Sequence, residues 1–264
     1  MKLELTGKTA LVTASSNGIG LEIARSLALE GTKVIVNGRS LSSVDKAIDA
    51  LSESVSPELL TPLVADIGTR AGCNKAIEQI PSVDILVNNL GIYEALGFFD
   101  ETDEHWQNVI EVNIMSGVRL ARHYLQIMLA NKAKAGRVVF ISSESGISPA
   151  PEMTHYSATK TMQLGISRAL ACLTKGTEVT VNAVLPGPTL TASVKAFIAD
   201  IYPNIPATQA EKMFMAQNRP GSLIGRFIHP KEIGDIVAFI CSQRASVING
   251  SNIRAEGGLV NSVF

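Results

Sequence analysis

Tyr156-Ser157-Ala158-Thr159-Lys160 sets a phenol and an ammonium four residues apart, on one face if the segment is helical. An ordinary tyrosine titrates at about 10, too high for ready proton exchange at neutral pH, and a cation beside it favours the phenolate. The pair therefore reads as acid–base machinery. Upstream, the run Val138-Val139-Phe140-Ile141-Ser142-Ser143 ends in a hydroxyl that can donate to a carbonyl oxygen as negative charge develops there. Ser142 and Ser145 are alternative donors, a helix or turn cap is the plain role open to Ser143, and Glu144 and Ser145 add polar groups beside it.

A second constellation lies near the N-terminus. The apolar run Thr9 to Thr13 leads into Thr13-Ala14-Ser15-Ser16-Asn17-Gly18-Ile19-Gly20, which is followed by the helical stretch LEIARSLALEG. Glycines at a strand-to-helix turn let backbone N–H groups approach a pyrophosphate, and the helix N-terminus adds positive potential. The next strand ends in Asn37-Gly38-Arg39-Ser40, with no carboxylate to receive a ribose hydroxyl. A guanidinium at Arg39 suits a 2′-phosphate instead, so NADP(H) is favoured over NAD(H). Asp66, closing LVADIG, can accept from an adenine amino group or cap the following helix.

These groups need a frame that brings them to one crevice. Near-continuous apolar runs at Thr9 to Thr13, Lys33 to Asn37, Leu60 to Ala65, Asp84 to Asn88, Arg137 to Ser142 and Thr180 to Leu185 read as strands covered on both faces, separated by helix-sized stretches. The expected class is α/β: a Rossmann-type doubly wound parallel sheet in three layers, one domain over residues 1–264. Asp100 to Lys132 reads as two consecutive helices or one bent helix, with Asp100, Thr102 or Asp103 as N-cap. From Pro188 to Pro230 five prolines interrupt the alternation, and the segment 188–230 reads as an irregular insert, a substrate loop or lid. Its apolar side chains between Leu190 and Phe227 favour a partly hydrophobic alcohol or ketone.

Composition narrows the function classes. The 264 residues carry 23 Lys+Arg against 24 Asp+Glu, a formal net charge of −1, with none of the basic excess of a nucleic-acid binder. At 46% hydrophobic and 18% charged the chain can bury a large core. Cys73, Cys172 and Cys241 are far apart and lack metal-ligand spacing, so reduced, mostly buried thiols in a cytoplasmic protein are expected, with no metal site. No secretion signal or membrane span is visible.

Taken in order, the glycine turn, Asn88-Asn89-Leu90-Gly91, Asn113, Ser143, Tyr156 with Lys160, and Pro186-Gly187 resemble the short-chain dehydrogenase/reductase family. The match is to its single-domain branch, and is similar there to 3-oxoacyl-acyl-carrier-protein reductase-like oxidoreductases. The resemblance implies that Tyr156 is the proton donor or acceptor, that Lys160 tunes it and binds the nicotinamide ribose, and that Ser143 orients the carbonyl. Asn113 would hold a water linking Lys160 to solvent. Thr13, Ser15, Ser16, Asn17, Gly18, Ile19, Gly20, Arg39, Asp66, Asn89, Tyr156, Lys160, Pro186 and Gly187 would bind the cofactor. A homo-oligomer, usually a tetramer, is implied, packed through the Asp100 to Lys132 helices and the Tyr156 helix. Two positions depart from the family pattern: Ala14 replaces the first turn glycine, and Leu90 replaces an alanine. The implied reaction interconverts a ketone and a secondary alcohol. A cofactor-binding scaffold or redox sensor without turnover is the rival reading, and an epimerase or dehydratase of the family's longer branch is disfavoured by the glycine spacing and short C-terminal region.

Overall fold

The computed structural model describes residues 2–131 and 134–263. Its strands β1 (Thr9–Val12), β2 (Lys33–Gly38), β3 (Leu60–Val64), β4 (Ile85–Asn88), β5 (Arg137–Ile141), β6 (Thr180–Pro186) and β7 (Asn252–Ala255) form one parallel sheet in the order β3-β2-β1-β4-β5-β6-β7. Six strands fall within a residue or two of the apolar runs. The seventh, Asn-Ile-Arg-Ala, lies at the sheet edge and is only partly buried, so it carries no continuous apolar signal.

Because side chains alternate across a strand, each strand feeds two cores. Val138 and Phe140 of β5 join Leu11, Leu86 and Val181 on one face, while Val139 and Ile141 join Val12, Val87 and Val184 on the other. The first face is covered by α3 (Arg70–Gln79), α5 (Ser116–Ala130) and α6 (Thr154–Cys172) through Cys73, Ala76, Leu120, Tyr124 and Ala171. The second is covered by α1 (Gly18–Leu29), α2 (Leu41–Ser52) and α9 (Pro230–Cys241) through Ile23, Leu27, Leu51, Ile233 and Val237. Three layers result. Chain order runs outward from β1 through β2 to β3, then resumes at β4 on the other side, which opens a crevice beyond the carboxyl ends of β1 and β4.

The segment that begins at Asp100 is one bent rod. Thr102 caps α4 (Asp103–Ile110), accepting from the His105 N–H at 3.4 Å while His105 Nδ1 accepts the Thr102 N–H at 3.0 Å. A π-turn over Glu111–Met115 then joins α4 to α5, and the expected end at Lys132 falls outside the described residues. The insert departs from expectation. Residues 188–230 hold two helices, α7 (Ala192–Ile201) and α8 (Ala207–Asn218), rather than irregular chain. The prolines punctuate without breaking: Pro203 and Pro206 lie between α7 and α8, Pro220 follows α8, and Pro230 opens α9, where its missing N–H costs nothing.

Cys73 and Cys241 are buried, and burial pushes their thiols up to about 11 and about 12. Cys172 is exposed, so two of the three thiols are buried. Among the described residues no helix is long and apolar enough to cross a membrane.

Candidate active site

The turn after β1 is held by polar side chains that leave its glycines free. Thr13 Oγ1 accepts the N–H groups of Asn89 and Leu90 at 2.9 and 3.0 Å, joining the ends of β1 and β4. Asn89 Nδ2 returns the connection, donating to the carbonyls of Thr13 and Ala14 at 3.0 and 3.2 Å. Ser15 Oγ donates to the Val12 carbonyl and accepts the Asn37 N–H at 2.8 Å. Buried Asn37 accepts the Ala14 N–H at 2.9 Å and donates to the carbonyls of Leu63 and Ala65. Three strand ends are thereby tied to one turn.

Gly20 shows how tightly that turn is wound: a Cβ there would stand 2.4 Å from the Ala14 carbonyl oxygen and 2.5 Å from Asn89 Nδ2. Ala14 itself has φ +50°, in the left-handed region that a Cβ disfavours by ~1–2 kcal/mol. Thus the substituted first glycine of the turn is a strained position, and the strain acts on the backbone rather than on the cleft volume. Leu90, the other departure, packs against the core under α3 and α5 and is absent from the cleft wall.

A cleft of about 450 Å³ runs from this turn to the far end of β5. Ala14, Asn17, Gly18, Ile19, Gly20 and Asn89 line one end; Ser143, Glu144, Tyr156 and Lys160 line the other, with Pro186 and Gly187 between. The dimensions and the exposed turn fit an elongated phosphate-bearing cofactor, with the pyrophosphate at the α1 N-terminus. Thr13, Ser15 and Ser16 are absent from that wall, the first two spending their hydroxyls on the framework. Arg39 is exposed at the start of α2, and Asp66 is exposed with Oδ1 accepting the Gly68 N–H at 3.1 Å. Both lie beyond the cleft wall, at the outer end of the sheet.

At the reacting end, Ser142 Oγ donates to the Lys160 carbonyl at 2.8 Å and pins α6 to β5. Lys160 is 4% exposed. Its Nζ donates to the Ile141 carbonyl at 3.0 Å and to Gln163 Oε1 at 3.3 Å, and stands 5.5 Å from the Tyr156 ring centroid. Burial lowers the ammonium to about 8, against the opposing pull of Glu144. Burial likewise raises the Tyr156 phenol well above its usual range, partly offset by the Ser143 hydroxyl beside it. This differs from the expectation that Lys160 would lower it: the ammonium's bonds go to a carbonyl and an amide, so desolvation prevails.

Asn113 is buried in the π-turn. Its Oδ1 accepts the Ile92 N–H at 2.8 Å, and its Nδ2 donates to the Ile92 carbonyl and Thr159 Oγ1. Its carbonyl accepts from Gln163 Nε2 at 2.9 Å. Gln163 thus joins Asn113 to Lys160 directly, a link that sequence reasoning missed although Gln163 lies three residues beyond Lys160 on the same helix. Glu101 and His155 were also missed. The His155 ring lies 2.6 Å from the Glu101 carboxylate in a buried pair just before Tyr156. Burial works to raise the Glu101 carboxyl, but bonds from the His155 backbone and ring outweigh it and hold the group below its usual range. Tyr93 meets Tyr156 edge-on, with ring centroids 6.1 Å apart.

A parallel sheet with this order, a glycine turn at its switch point and a Ser-Tyr-Lys cluster across the crevice define a dinucleotide-type oxidoreductase scaffold. The chain belongs to the short chain dehydrogenase family, whose sequence model matches residues 8–201. It is 54% identical to the uncharacterized oxidoreductase YvaG of Bacillus subtilis, with all of both chains covered. It is 30% identical to the 3-oxoacyl-[acyl-carrier-protein] reductase FabG of Rickettsia felis, over 98% of this chain and 99% of that one. The crystal structure of L-sorbose reductase from Gluconobacter frateurii, complexed with NADPH and L-sorbose, superimposes with a TM-score of 0.90 at 27% identity and full coverage of both chains.

Ala14→Gly is expected to raise stability by ~0.5–1 kcal/mol, because relief of the left-handed cost exceeds the entropy that glycine adds to the unfolded chain. A urea midpoint that moves upward at unchanged slope is the expected reading; a downward shift would mean that Ala14 is not strained.

Proposed function

We propose that the protein is an NADP(H)-dependent oxidoreductase that interconverts a ketone and a secondary alcohol. The observation that carries this reading is the convergence of Ser143, Tyr156 and Lys160 at the end of a single cleft whose other end is the glycine turn. The NADPH bound by L-sorbose reductase and the place of Arg39 after β2 support the choice of cofactor. NADP(H), when bound, supplies or accepts the hydride.

The chain's own residues do the rest. Gly18, Ile19 and Gly20 present backbone N–H groups to the pyrophosphate, and Asn89 keeps the turn in shape. Arg39 meets the 2′-phosphate and Asp66 the adenine. Lys160, with two of its three protons committed to Ile141 and Gln163, directs the third into the cleft toward the ribose and the phenol. Tyr156 exchanges a proton with the substrate oxygen, and Ser143 steadies that oxygen as charge develops. Gln163 and Asn113 hold Lys160 in place from behind. The α7 segment contributes Thr191, Ala192, Ser193 and Val194 to the cleft wall, beginning over Gly18, and 188–230 acts as the substrate insert.

Tyr156→Phe tests the reading. It should lower kcat by about 100-fold or more, the usual worth of a positioned acid, while the Kd for NADPH stays within about twofold; turnover at the wild-type rate would refute it. Arg39→Ala should weaken NADPH by about tenfold or more and leave NADH within about twofold, read by fluorescence titration, and equal losses for both would remove Arg39 from the 2′-phosphate. The same reading makes the protein a cytoplasmic homotetramer packed through α4, α5 and α6, for which a monomer's mass in light scattering at micromolar concentration is the contrary result.

A further inference from the structure

Ser143 has one proton to give, and it gives that proton to a carboxylate. Ser143 Oγ lies 2.5 Å from Glu144 Oε2, and its lone pair receives the Ser145 N–H at 3.1 Å. While that bond stands, the serine cannot donate to a substrate carbonyl. Removing it without replacement would leave a largely buried carboxylate short of a donor, which is costly. Among the described residues Ser143 is the one side chain hydrogen-bonded to the Glu144 carboxylate. Lys160 has its bonds with Ile141 and Gln163, and the Arg219 guanidinium acts on Glu144 through its field while Nη1 bonds the Asn218 carbonyl. The backbone N–H groups of Glu144 and Ser145 also act on that carboxylate, and a substrate hydroxyl can take the place that Ser143 would vacate.

Ser145, Thr189 and Ser193 line the cleft together with Tyr93 and Met153, whereas Leu190, Ile198, Ala210, Met215 and Phe227 of the insert are buried in a small core of their own, with Phe214 stacked on Phe227 at 5.6 Å. Part of the insert's apolar side chains is therefore spent on holding α7 to α8, while Phe197, Ile201, Leu223 and Ile224 are exposed and Ala192 and Val194 line the cleft.

We propose that Glu144 is the specificity-determining residue of the cleft and accepts a hydrogen bond from a hydroxyl on the carbon next to the reacting carbonyl, so that the substrates are α-hydroxy ketones and, in reverse, vicinal diols. This rests on the ketone reductase reading above. A carbonyl oxygen and a hydroxyl on adjacent carbons lie side by side, as do the Ser143 hydroxyl and the Glu144 carboxylate on consecutive residues. The substrate hydroxyl takes the place of Ser143 on Glu144, and the freed serine proton turns to the carbonyl oxygen. A ketone without the hydroxyl leaves Ser143 engaged and reacts poorly.

The test is a pair of matched comparisons with NADPH as reductant: 3-hydroxybutan-2-one against butan-2-one, and 2-hydroxycyclohexanone against cyclohexanone. Wild-type protein should prefer the hydroxy ketone by about tenfold or more in kcat/KM, the discrimination expected of a hydrogen bond to a charged group. Glu144→Ala should bring the ratio close to one, and Glu144→Gln, which keeps an acceptor and the side-chain volume, should retain part of it. Circular dichroism and NADPH titration establish that each variant is folded. A wild-type ratio near one, or a ratio kept in a folded Glu144→Ala, overturns the role of Glu144 while leaving the ketone reductase standing. Failure of wild-type protein to reduce either hydroxy ketone also overturns it, and turnover of the plain ketones in the same assay then decides whether the broader reading falls with it.

Discussion

A buried ammonium is the constraint around which this molecule is arranged. Lys160 is 4% exposed, and a cation removed from water persists only if acceptors take its protons. The Ile141 carbonyl, at the last residue of β5, and the Gln163 amide supply two. Each acceptor imposes a further demand. For Ile141 to face α6, the helix must lie against the strand end, and the bond from Ser142 to the Lys160 carbonyl secures that. For Gln163 to present its oxygen to Lys160, its amide nitrogen needs an acceptor of its own, and the Asn113 carbonyl in the π-turn provides it. A π-turn is an irregular element that often marks functional places in helices; here it brings Asn113 close enough to hold both Ile92 and Thr159. The residues around Lys160 form one hydrogen-bonded unit, and burial lowers its ammonium to about 8.

The two ends of the cleft are coupled through the same framework. Asn89 and Leu90 follow β4 and bond to Thr13, while Gly91 and Ile92 continue to Asn113 and Lys160: a Cβ at Gly91 would lie 3.2 Å from Lys160 Nζ, and Ile92 clasps the Asn113 amide. The loop after β4 is therefore a strap between the turn that follows β1 and the cluster around Lys160. Parallel strands whose carboxyl ends are level make such a strap possible, since Val12 pairs with Val36 on one side and Val87 on the other, and Asn88 pairs with Phe140. In that strap Leu90 replaces a smaller residue without entering the cleft because its side chain turns into the sheet's core.

Most of the sheet was legible because buried parallel strands must be apolar on both faces, and runs such as Val34-Ile35-Val36 satisfy no other role as economically. The edge strand β7 escaped because half of its surface meets solvent and its residues need not be apolar. The helices α7 and α8 escaped for a different reason: five prolines within 43 positions, 188 to 230, look like breakers until their places between elements are known. In the site, the spacing of Tyr156 and Lys160 placed both on one helix at one cleft, but the partners that set their environment could not be read. Glu101 meets His155 across 54 residues of chain, and no local pattern encodes such a meeting. Gln163 was within reach, three residues from Lys160, yet it becomes meaningful only once the lysine is known to be buried.

The insert spends part of its apolar residues on a core of its own. Two helices joined outside the main sheet need a core of their own, and Ile198, Ala210, Met215 and Phe227 form one, which leaves the opposite surface of α7 free to differ in character. Thr191 begins that surface: its hydroxyl caps α7 by accepting the Val194 N–H at 3.3 Å, while its methyl would lie 3.4 Å from a Cβ at Gly18. The start of α7 therefore sits over the start of α1, at the glycine-turn end of the cleft. Polar caps are required at helix starts whatever the ligand, and placing one at the mouth of the cleft satisfies the helix and makes the mouth polar at once. Which face of the insert meets the cleft is a property of its helical period rather than of its composition.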